Sequence, residues 1–138
     1  MLNNYSILKN IILKIRKEGK ISEDLKEELV KLIGNERMND VFEYINENRV
    51  KKYIFTPSKR ELWVVYGKSG YYLIYPMEFC SCIDYYKTSI INNKKNFCKH
   101  LLAQAIINET SKNIRDLTIN LNDNEFKNLL NEILIKEI

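Results

Sequence analysis

The sequence predicts an α+β protein in which helices flank a small antiparallel sheet. Apolar residues recur at helical spacing before residue 50 and again after residue 122. Between residues 51 and 76, short β-branched and aromatic runs alternate with turn residues, which is typical of a three-stranded meander. A cysteine-bearing turn then leads into another helical pattern near residue 100. We expect one compact unit made of an N-terminal helical segment (1–50), a sheet-bearing segment (51–110) and a C-terminal helical tail (111–138).

Three amphipathic helices are predicted in the first fifty residues. Gly19 can end the first helix, while Ser22 can cap the second and Gly34 can end it. The three apolar faces consist of Leu8, Ile11, Ile12 and Ile15, of Leu25, Leu29, Leu32 and Ile33, and of Met38, Val41, Phe42 and Ile45. These faces can pack into a core or against a partner, and nothing in them suggests chemistry.

The middle of the chain reads as an antiparallel meander followed by a helix. The predicted strands are Lys52–Thr56, Glu61–Tyr66 and Tyr71–Tyr75. Pro57–Ser58 and Gly67–Gly70 form the turns, and Pro76 ends the third strand because proline cannot donate a ladder hydrogen bond. A short helix over Ile83–Ile91 and a polar loop then precede a helix whose apolar positions are Leu101, Leu102, Ala105 and Ile106.

The tail predicts one more amphipathic helix. Asn122 is placed to cap it, with Glu125 three residues later in the capping-box position. The apolar face of this helix consists of Phe126, Leu129, Leu130, Ile133 and Leu134. Together with the N-terminal faces, it offers more apolar surface than one small sheet needs. We expect that the faces of Leu25, Leu29 and Leu32 and of Phe126, Leu130 and Ile133 cannot all be buried, and that some apolar area remains for another chain.

The composition is that of a globular chain of one domain's size. The 138 residues are 45% hydrophobic and 29% charged, which argues against wholesale disorder. No apolar run approaches the roughly 18 residues that a membrane span needs. The first residues also lack the cleavage site of a secretory signal. We therefore expect an intracellular protein, cytoplasmic in a prokaryote or nuclear in a eukaryote.

All three cysteines and the single histidine lie between residues 80 and 100, in the pairs Cys80-x-Cys82 and Cys98-x-His100. Three cysteines cannot form a closed set of disulfides, so this clustering favours a metal. Zinc takes four such ligands at tetrahedral corners, and four protein ligands leave no open position for a catalytic water. The pattern therefore predicts one structural Zn²⁺ ion held by Cys80, Cys82, Cys98 and His100.

Two other interpretations of these residues are open from the sequence. Free cysteines pack well as small hydrophobes, so the cluster could consist of buried thiols beside an incidental histidine. A redox nucleophile is also conceivable, but Cys80-x-Cys82 lacks the Cys-x-x-Cys spacing of dithiol enzymes. The concentration of every Cys and His into two paired halves favours the metal over both.

Charge is unevenly distributed along the chain. Residues 51–100 hold nine basic and three acidic residues, together with eleven of the fifteen aromatic residues. Basic charge interleaved with aromatic rings is what single-stranded nucleic acid binding requires, although an aromatic core with a lysine rim gives the same composition. Lys94, Lys95 and Lys99 are candidate phosphate contacts, and they can also offset the negative charge of three zinc-bound thiolates.

The spacing Cys80-x-Cys82-x15-Cys98-x-His100 resembles the SWIM-type zinc finger. The run Phe97–Cys98–Lys99–His100–Leu101–Leu102–Ala103 is similar to the corresponding stretch of the SWIM subunit in Shu-type recombination complexes. That branch carries an alanine three residues after the histidine, here Ala103, where a small residue would let the helix sit close to the zinc loop. The similarity covers roughly residues 25–134, including Tyr66–Gly67 ahead of the first metal half-site.

The resemblance implies a non-enzymatic accessory role in homologous recombination. Members of that branch pair with a RecA-like recombinase paralog and promote recombinase filament assembly on single-stranded DNA. Two observations independently favour a role without catalysis. Gly67–Lys68–Ser69 lacks the upstream glycine of a nucleotide-binding loop, and the only histidine is a predicted ligand.

Two alternatives to the accessory role are open. One is a stand-alone nucleic-acid-binding zinc protein, and a weaker one is a zinc–thiolate redox regulator. On the accessory interpretation, the chain forms a heteromer with the paralog, contacts single-stranded or branched DNA weakly or through the complex, and does not associate with a membrane.

Overall fold

A computed structural model describes residues 4–92, 97–110 and 114–136 of the chain. Three N-terminal helices come first, followed by four strands, a short helix and the longer helix α5, and then by a fifth strand and a last helix. Their bounds are α1 Asn4–Glu18, α2 Glu23–Ile33, α3 Asn35–Asn46, β1 Val50–Thr56, β2 Glu61–Tyr66, β3 Tyr71–Tyr75, β4 Phe79–Cys80, α4 Ile83–Tyr85, α5 Lys99–Thr110, β5 Thr118–Asn122 and α6 Phe126–Lys136. A π-helical stretch, Tyr86–Ile91, continues α4, and 3₁₀ turns occupy Ile114–Leu117 and Asp123–Glu125.

The N-terminal helices begin and end where the sequence predicts. Gly19 has a φ of 72° and donates its N–H to the carbonyl of Ile15 (2.7 Å), which ends α1. The Ser22 hydroxyl accepts the N–H of Leu25 at 3.2 Å and caps α2. Gly34, at a φ of 93°, then separates α2 from α3. These confirmed boundaries fix the helices that support one face of the sheet.

The sheet has the strand order β4-β3-β2-β1-β5 in the described part of the chain. The predicted meander is confirmed, because β1 pairs antiparallel with β2 and β2 with β3. One further strand extends the meander at each edge. The two-residue strand β4 pairs antiparallel with β3, and β5 pairs parallel with β1, with Tyr53 opposite Ile119. The sheet thus has five strands, and β5, which was not predicted, precedes the helix of the tail.

Apolar clusters cover both faces of the sheet. On one face, α5 packs against the strands, whose inward-facing residues include Val50, Trp63 and Ile74, and α1, α2 and α3 extend the same apolar cluster. On the other face, Ile133 of α6 packs with Tyr53, Phe55, Leu62 and Val64. Because β2 is covered on both sides, four consecutive residues of it, Leu62–Val65, are buried.

The helix faces that we expected to remain open are largely used inside the chain. Leu25 and Leu29 are buried among the N-terminal helices, and Ile133 is buried against the sheet. The large apolar side chains that stay exposed include Leu134 and Ile135 of α6, and they are densest in the segment after Cys82. Leu32, Phe126 and Leu130 stay partly exposed, so some apolar area of these faces remains at the surface.

Most aromatic residues of the basic segment belong to the core. Tyr53, Trp63 and Tyr85 are buried, whereas Tyr75 and Tyr86 are more than half exposed. The aromatic-core interpretation therefore accounts for the first three. None of the described helices has the length and apolarity that crossing a membrane requires.

Candidate metal centre

The four predicted ligands come together at the junction of the sheet and α5. Cys80 ends β4, Cys82 precedes α4, and Cys98 immediately precedes α5, whose second residue is His100. One ligand atom from each residue lies within 4.8 Å of the others, and all four residues are buried. The chain thus assembles three thiol sulfurs and one imidazole nitrogen around a single point.

The spacing of the donor atoms suits a tetrahedral zinc ion. Cys80 Sγ lies 3.9 Å from His100 Nδ1. Ligands at the usual Zn–S and Zn–N distances are separated by about 3.6–3.8 Å along the edges of the tetrahedron. The residues present therefore fit Zn²⁺ with little movement, and Nδ1 is the histidine nitrogen that faces the sulfurs.

Two of the sulfurs also accept backbone hydrogen bonds. The N–H of Tyr85 donates to Cys82 Sγ at 3.3 Å, and the N–H of Leu101 donates to Cys98 Sγ at 3.4 Å. In each case the donor lies three residues after the cysteine, in the first turn of the following helix. N–H groups in that position favour a negatively charged sulfur, so the local backbone prepares both cysteines to bind as thiolates.

The three thiols cannot all ionise without a cation. Burial raises the pKa of Cys80 and, likewise, that of Cys98. Hydrogen bonds from Cys80 and Cys98 lower the pKa of Cys82. Three thiolates in one buried site repel one another, and a divalent ion supplies the compensating charge. Three thiolates can therefore share this site only with a compensating cation such as Zn²⁺.

Two tyrosine rings hold the imidazole of His100 between them. Tyr44 of α3 stacks on it with centroids 5.4 Å apart, and Tyr72 of β3 lies at 4.1 Å. Gly67, directly after β2, lies beside the edge of the same ring. A Cβ built there would lie 3.2 Å from His100 Nε2 and 2.6 Å from Tyr72 Cε2. Sequence reasoning treated Gly67 as a turn residue and missed its contact with the histidine, as it missed both tyrosines.

Hydrogen bonds to carbonyls also hold the turn that carries Cys80. Tyr5 of α1 donates its hydroxyl to the Met77 carbonyl at 3.1 Å, and Tyr85 donates to the carbonyl of Glu78. The ring of Tyr5 additionally packs edge-on against Phe97, the residue before Cys98. Both halves of the ligand set are therefore tied to α1, for which the sequence had assigned no role.

The predicted phosphate contacts have different outcomes. Lys94 and Lys95 lie outside the described residues. The Nζ of Lys99 lies 2.9 Å from one carboxylate oxygen of Asp40, whose other oxygen lies 2.9 Å from Lys68 Nζ. Hydrogen bonds from these two lysines lower the pKa of Asp40. Lys99 thus has a partner inside the chain, and its contact with phosphate stays a prediction.

Ala103 lies one turn after His100 in α5 and is fully buried. It belongs to the same apolar cluster as the three cysteines. Its predicted function, to let α5 approach the zinc loop, stays a prediction.

Comparison with known proteins supports the zinc assignment. The zinc finger SWIM domain-containing protein 7 homolog of Dictyostelium discoideum is 29% identical to this chain over 87 residues. The matched region covers 62% of this chain and 54% of the relative, so the chain spans about half the length of that protein. The cluster is a site for one structural zinc ion. No protein-family model matches the chain, and no solved structure matches it.

Proposed function

We propose that this chain is a non-enzymatic, zinc-stabilised accessory subunit in homologous recombination. It pairs with a RecA-like recombinase paralog, and the pair promotes recombinase filament assembly on single-stranded DNA. The observation that carries the proposal is the buried cluster of Cys80, Cys82, Cys98 and His100. Its second half lies in the run Phe97–Ala103, which resembles the Shu-type SWIM subunit. The similarity to a SWIM-domain relative supports it.

An exposed apolar surface on the zinc loop suits the pairing. It consists of Ile83, Tyr86, Ile90 and Ile91, which are 54–67% exposed, and we call it the zinc-loop surface. Clustered large apolar side chains in solvent are typical of protein interfaces. Because the segment starts next to Cys82 and returns to the site at Cys98, the ion holds both of its ends. The zinc then shapes a docking surface without taking part in a reaction.

The chemistry of the site favours a role without catalysis. Four protein donors fill the coordination shell of zinc and leave no position for a reacting water. His100 is the single histidine of the chain and lies between two tyrosine rings as a ligand, so it is not available as a general base. We therefore propose that the chain acts by presenting a preorganised docking surface to its partner.

A stand-alone nucleic-acid-binding zinc protein is the second candidate. The basic excess of residues 51–100 favours it. Against it, the lysines Lys52, Lys68 and Lys99 of that segment are engaged with carboxylates of the same chain. Strong DNA binding by the isolated chain, without a protein partner, would favour this candidate over the accessory subunit.

Co-expression with RecA-fold paralogs from the same genome tests the proposal. We expect a complex that co-elutes in size-exclusion chromatography and is lost when Ile90 and Ile91 are both changed to Asp. Loss of zinc through Cys98→Ser should abolish the complex equally.

The matched control changes Leu134 and Ile135 of α6 to Asp, because these are two consecutive apolar residues of similar exposure away from the zinc loop. This control should keep the complex. The proposal is wrong if no RecA-like protein co-elutes, or if Cys98→Ser leaves the complex intact.

A further inference from the structure

Most of the exposed side chains of α1 are basic. Lys9, Lys14, Arg16 and Lys17 are all exposed, and Lys20 follows the helix. Glu18 is the single acidic residue between positions 4 and 20. The formal charge of this stretch is therefore +4, equal to the net charge of the whole chain. This stretch is one of two basic concentrations in the sequence, because residues 51–100 also hold more basic than acidic residues.

The lysines of α1 differ from Lys68 and Lys99 beside the zinc site in having no carboxylate partner among the residues that the structure describes. Within residues 4–92, 97–110 and 114–136, no ion pair involves Lys9, Lys14 or Lys17, although Arg16 pairs with Glu109 of α5. We call these three lysines the α1 basic face. Their charges are not neutralised within that part of the chain, and they remain available to an anionic partner.

The helix that carries these lysines is fixed at both ends. Its opposite side is buried through Leu8, Ile11, Ile12 and Ile15. Tyr5 ties its first turn to the Met77 carbonyl, and the Arg16 guanidinium contacts both carboxylate oxygens of Glu109 at 2.9 and 3.0 Å. The α1 basic face is thus a preorganised surface, which lowers the entropic cost of binding an extended anion.

The chemistry of the face selects one class of anion. Lys9 and Lys17 lie two turns apart along the helix, and the exposed apolar residue between them is Leu13. A protein partner normally requires an apolar centre of several residues, which this face lacks. Single-stranded nucleic acid requires aromatic rings for base stacking, and the one ring of α1, Tyr5, is turned into the core. A row of charges without stacking rings suits the phosphates of a duplex.

We propose that the α1 basic face binds the phosphate backbone of double-stranded nucleic acid without reading its sequence. The proposal deepens the function proposed above. It rests on that function for the identity of the anion, which is a nucleic acid. It moves the DNA contact from the zinc loop, where Lys99 is paired with Asp40, to the N-terminal helix. The apolar zinc-loop surface then stays free for the protein partner.

Fluorescence anisotropy with a labelled mixed-sequence DNA duplex tests this on the zinc-loaded full chain. We expect weak binding. The logarithm of the association constant should fall linearly with the logarithm of the salt concentration, with a slope of about −0.9 for each phosphate contact. Changing Lys9, Lys14 and Lys17 to Gln should reduce that slope by about 2–3. In the matched control variant, the exposed residues Lys59, Lys87 and Lys127 are changed to Gln. This variant loses the same charge and should keep the salt dependence of the parent chain.

Several outcomes would overturn the proposal. They are no duplex binding by the parent chain, equal losses in the two triple variants, or no loss in the α1 variant. Binding to polyglutamate that depends on α1, without such binding to DNA, would also overturn it by identifying an acidic protein as the partner. Retained circular dichroism and zinc content show that the α1 variant is folded. Co-elution with the recombinase paralog is a separate measurement, so its failure contradicts the accessory role and leaves the α1 result standing.

Discussion

Gly67 is the residue at which the zinc centre leaves no room for a side chain. Its backbone passes the edge of the His100 ring and the face of β3 that carries Tyr72. Any Cβ there enters the space of a rigid aromatic ring, which cannot rotate away without losing its contact with the imidazole. The position of the histidine therefore depends on the absence of a side chain at Gly67 as well as on the two tyrosine rings.

We predict that Gly67→Ala weakens zinc binding and destabilises the fold. A Cβ 2.6 Å from Tyr72 Cε2 forces that ring to move, and overpacking of this kind typically costs about 1–3 kcal/mol. Competition with a chromophoric chelator and thermal unfolding at saturating zinc measure the two effects. Ser69→Ala, on an exposed residue of the same turn, should change neither. Equal behaviour of the two variants would contradict the steric explanation.

Sequence reasoning could identify the ligands but not the residues that position them. The ligands can be recognised from residue type and spacing, because zinc chemistry restricts both. They are Cys80, Cys82, Cys98 and His100. Tyr44 and Tyr72 are ordinary core residues by type, and only the packing of α3 and β3 against α5 brings them to the imidazole. The ion pair between Lys99 and Asp40 is equally a product of tertiary packing.

At the scale of elements, β5 shows why the tail was predicted incompletely. The run Thr118–Asn122 has only two apolar residues, Ile119 and Leu121, and asparagine is a poor strand former. Its strand conformation comes from the free edge of β1, with which it pairs in parallel. The Ser58 backbone N–H and hydroxyl also donate to the Asp123 carboxylate at 3.0 and 2.7 Å. Pairing between strands so distant in sequence cannot be predicted from the local pattern of apolar and polar residues.

The start of α6, by contrast, was predicted from local chemistry and is confirmed. The Asn122 side chain accepts the backbone N–H of Glu125, whose carboxylate accepts the N–H of Asn122 at 3.3 Å. Both bonds lie within four residues, so the sequence contains all of the information. This capping box contributes to the stability of the fold because α6 covers the outer face of the sheet through Phe126 and Ile133.

We predict that Asn122→Ala lowers the free energy of unfolding by about 1 kcal/mol, because the capping bond is lost and an N–H is left without its acceptor. Urea unfolding of the zinc-loaded chain measures the change. The control is Asn124→Ala, since this exposed neighbour contributes neither capping bond. A loss of the same size in both variants would show that the box contributes nothing specific.

At the scale of the whole molecule, the zinc ion joins parts that are distant in sequence. Cys80 and Cys82 lie at the β4 end of the sheet, whereas Cys98 and His100 belong to the start of α5. Helix α5 in turn packs on α1 and α3 and on the inner face of the sheet. The outer face, with α6, forms its own apolar cluster without any ligand. The metal therefore stabilises one of the two faces directly and the other only through the shared strands.

We predict that removing zinc unfolds at least residues 60–110. Structural zinc contributes an apparent ~10–16 kcal/mol, which matches or exceeds the ~5–15 kcal/mol stability of a typical domain. Circular dichroism should lose helical signal on chelation, and hydrogen exchange should lose protection in α5, β3 and β4 before α6. Restoring stoichiometric zinc is the control and should restore both signals. Metal-free protein with unchanged dichroism and unchanged exchange would mean that apolar packing alone holds the ligand set together, and the structural role of the ion would then have to be abandoned.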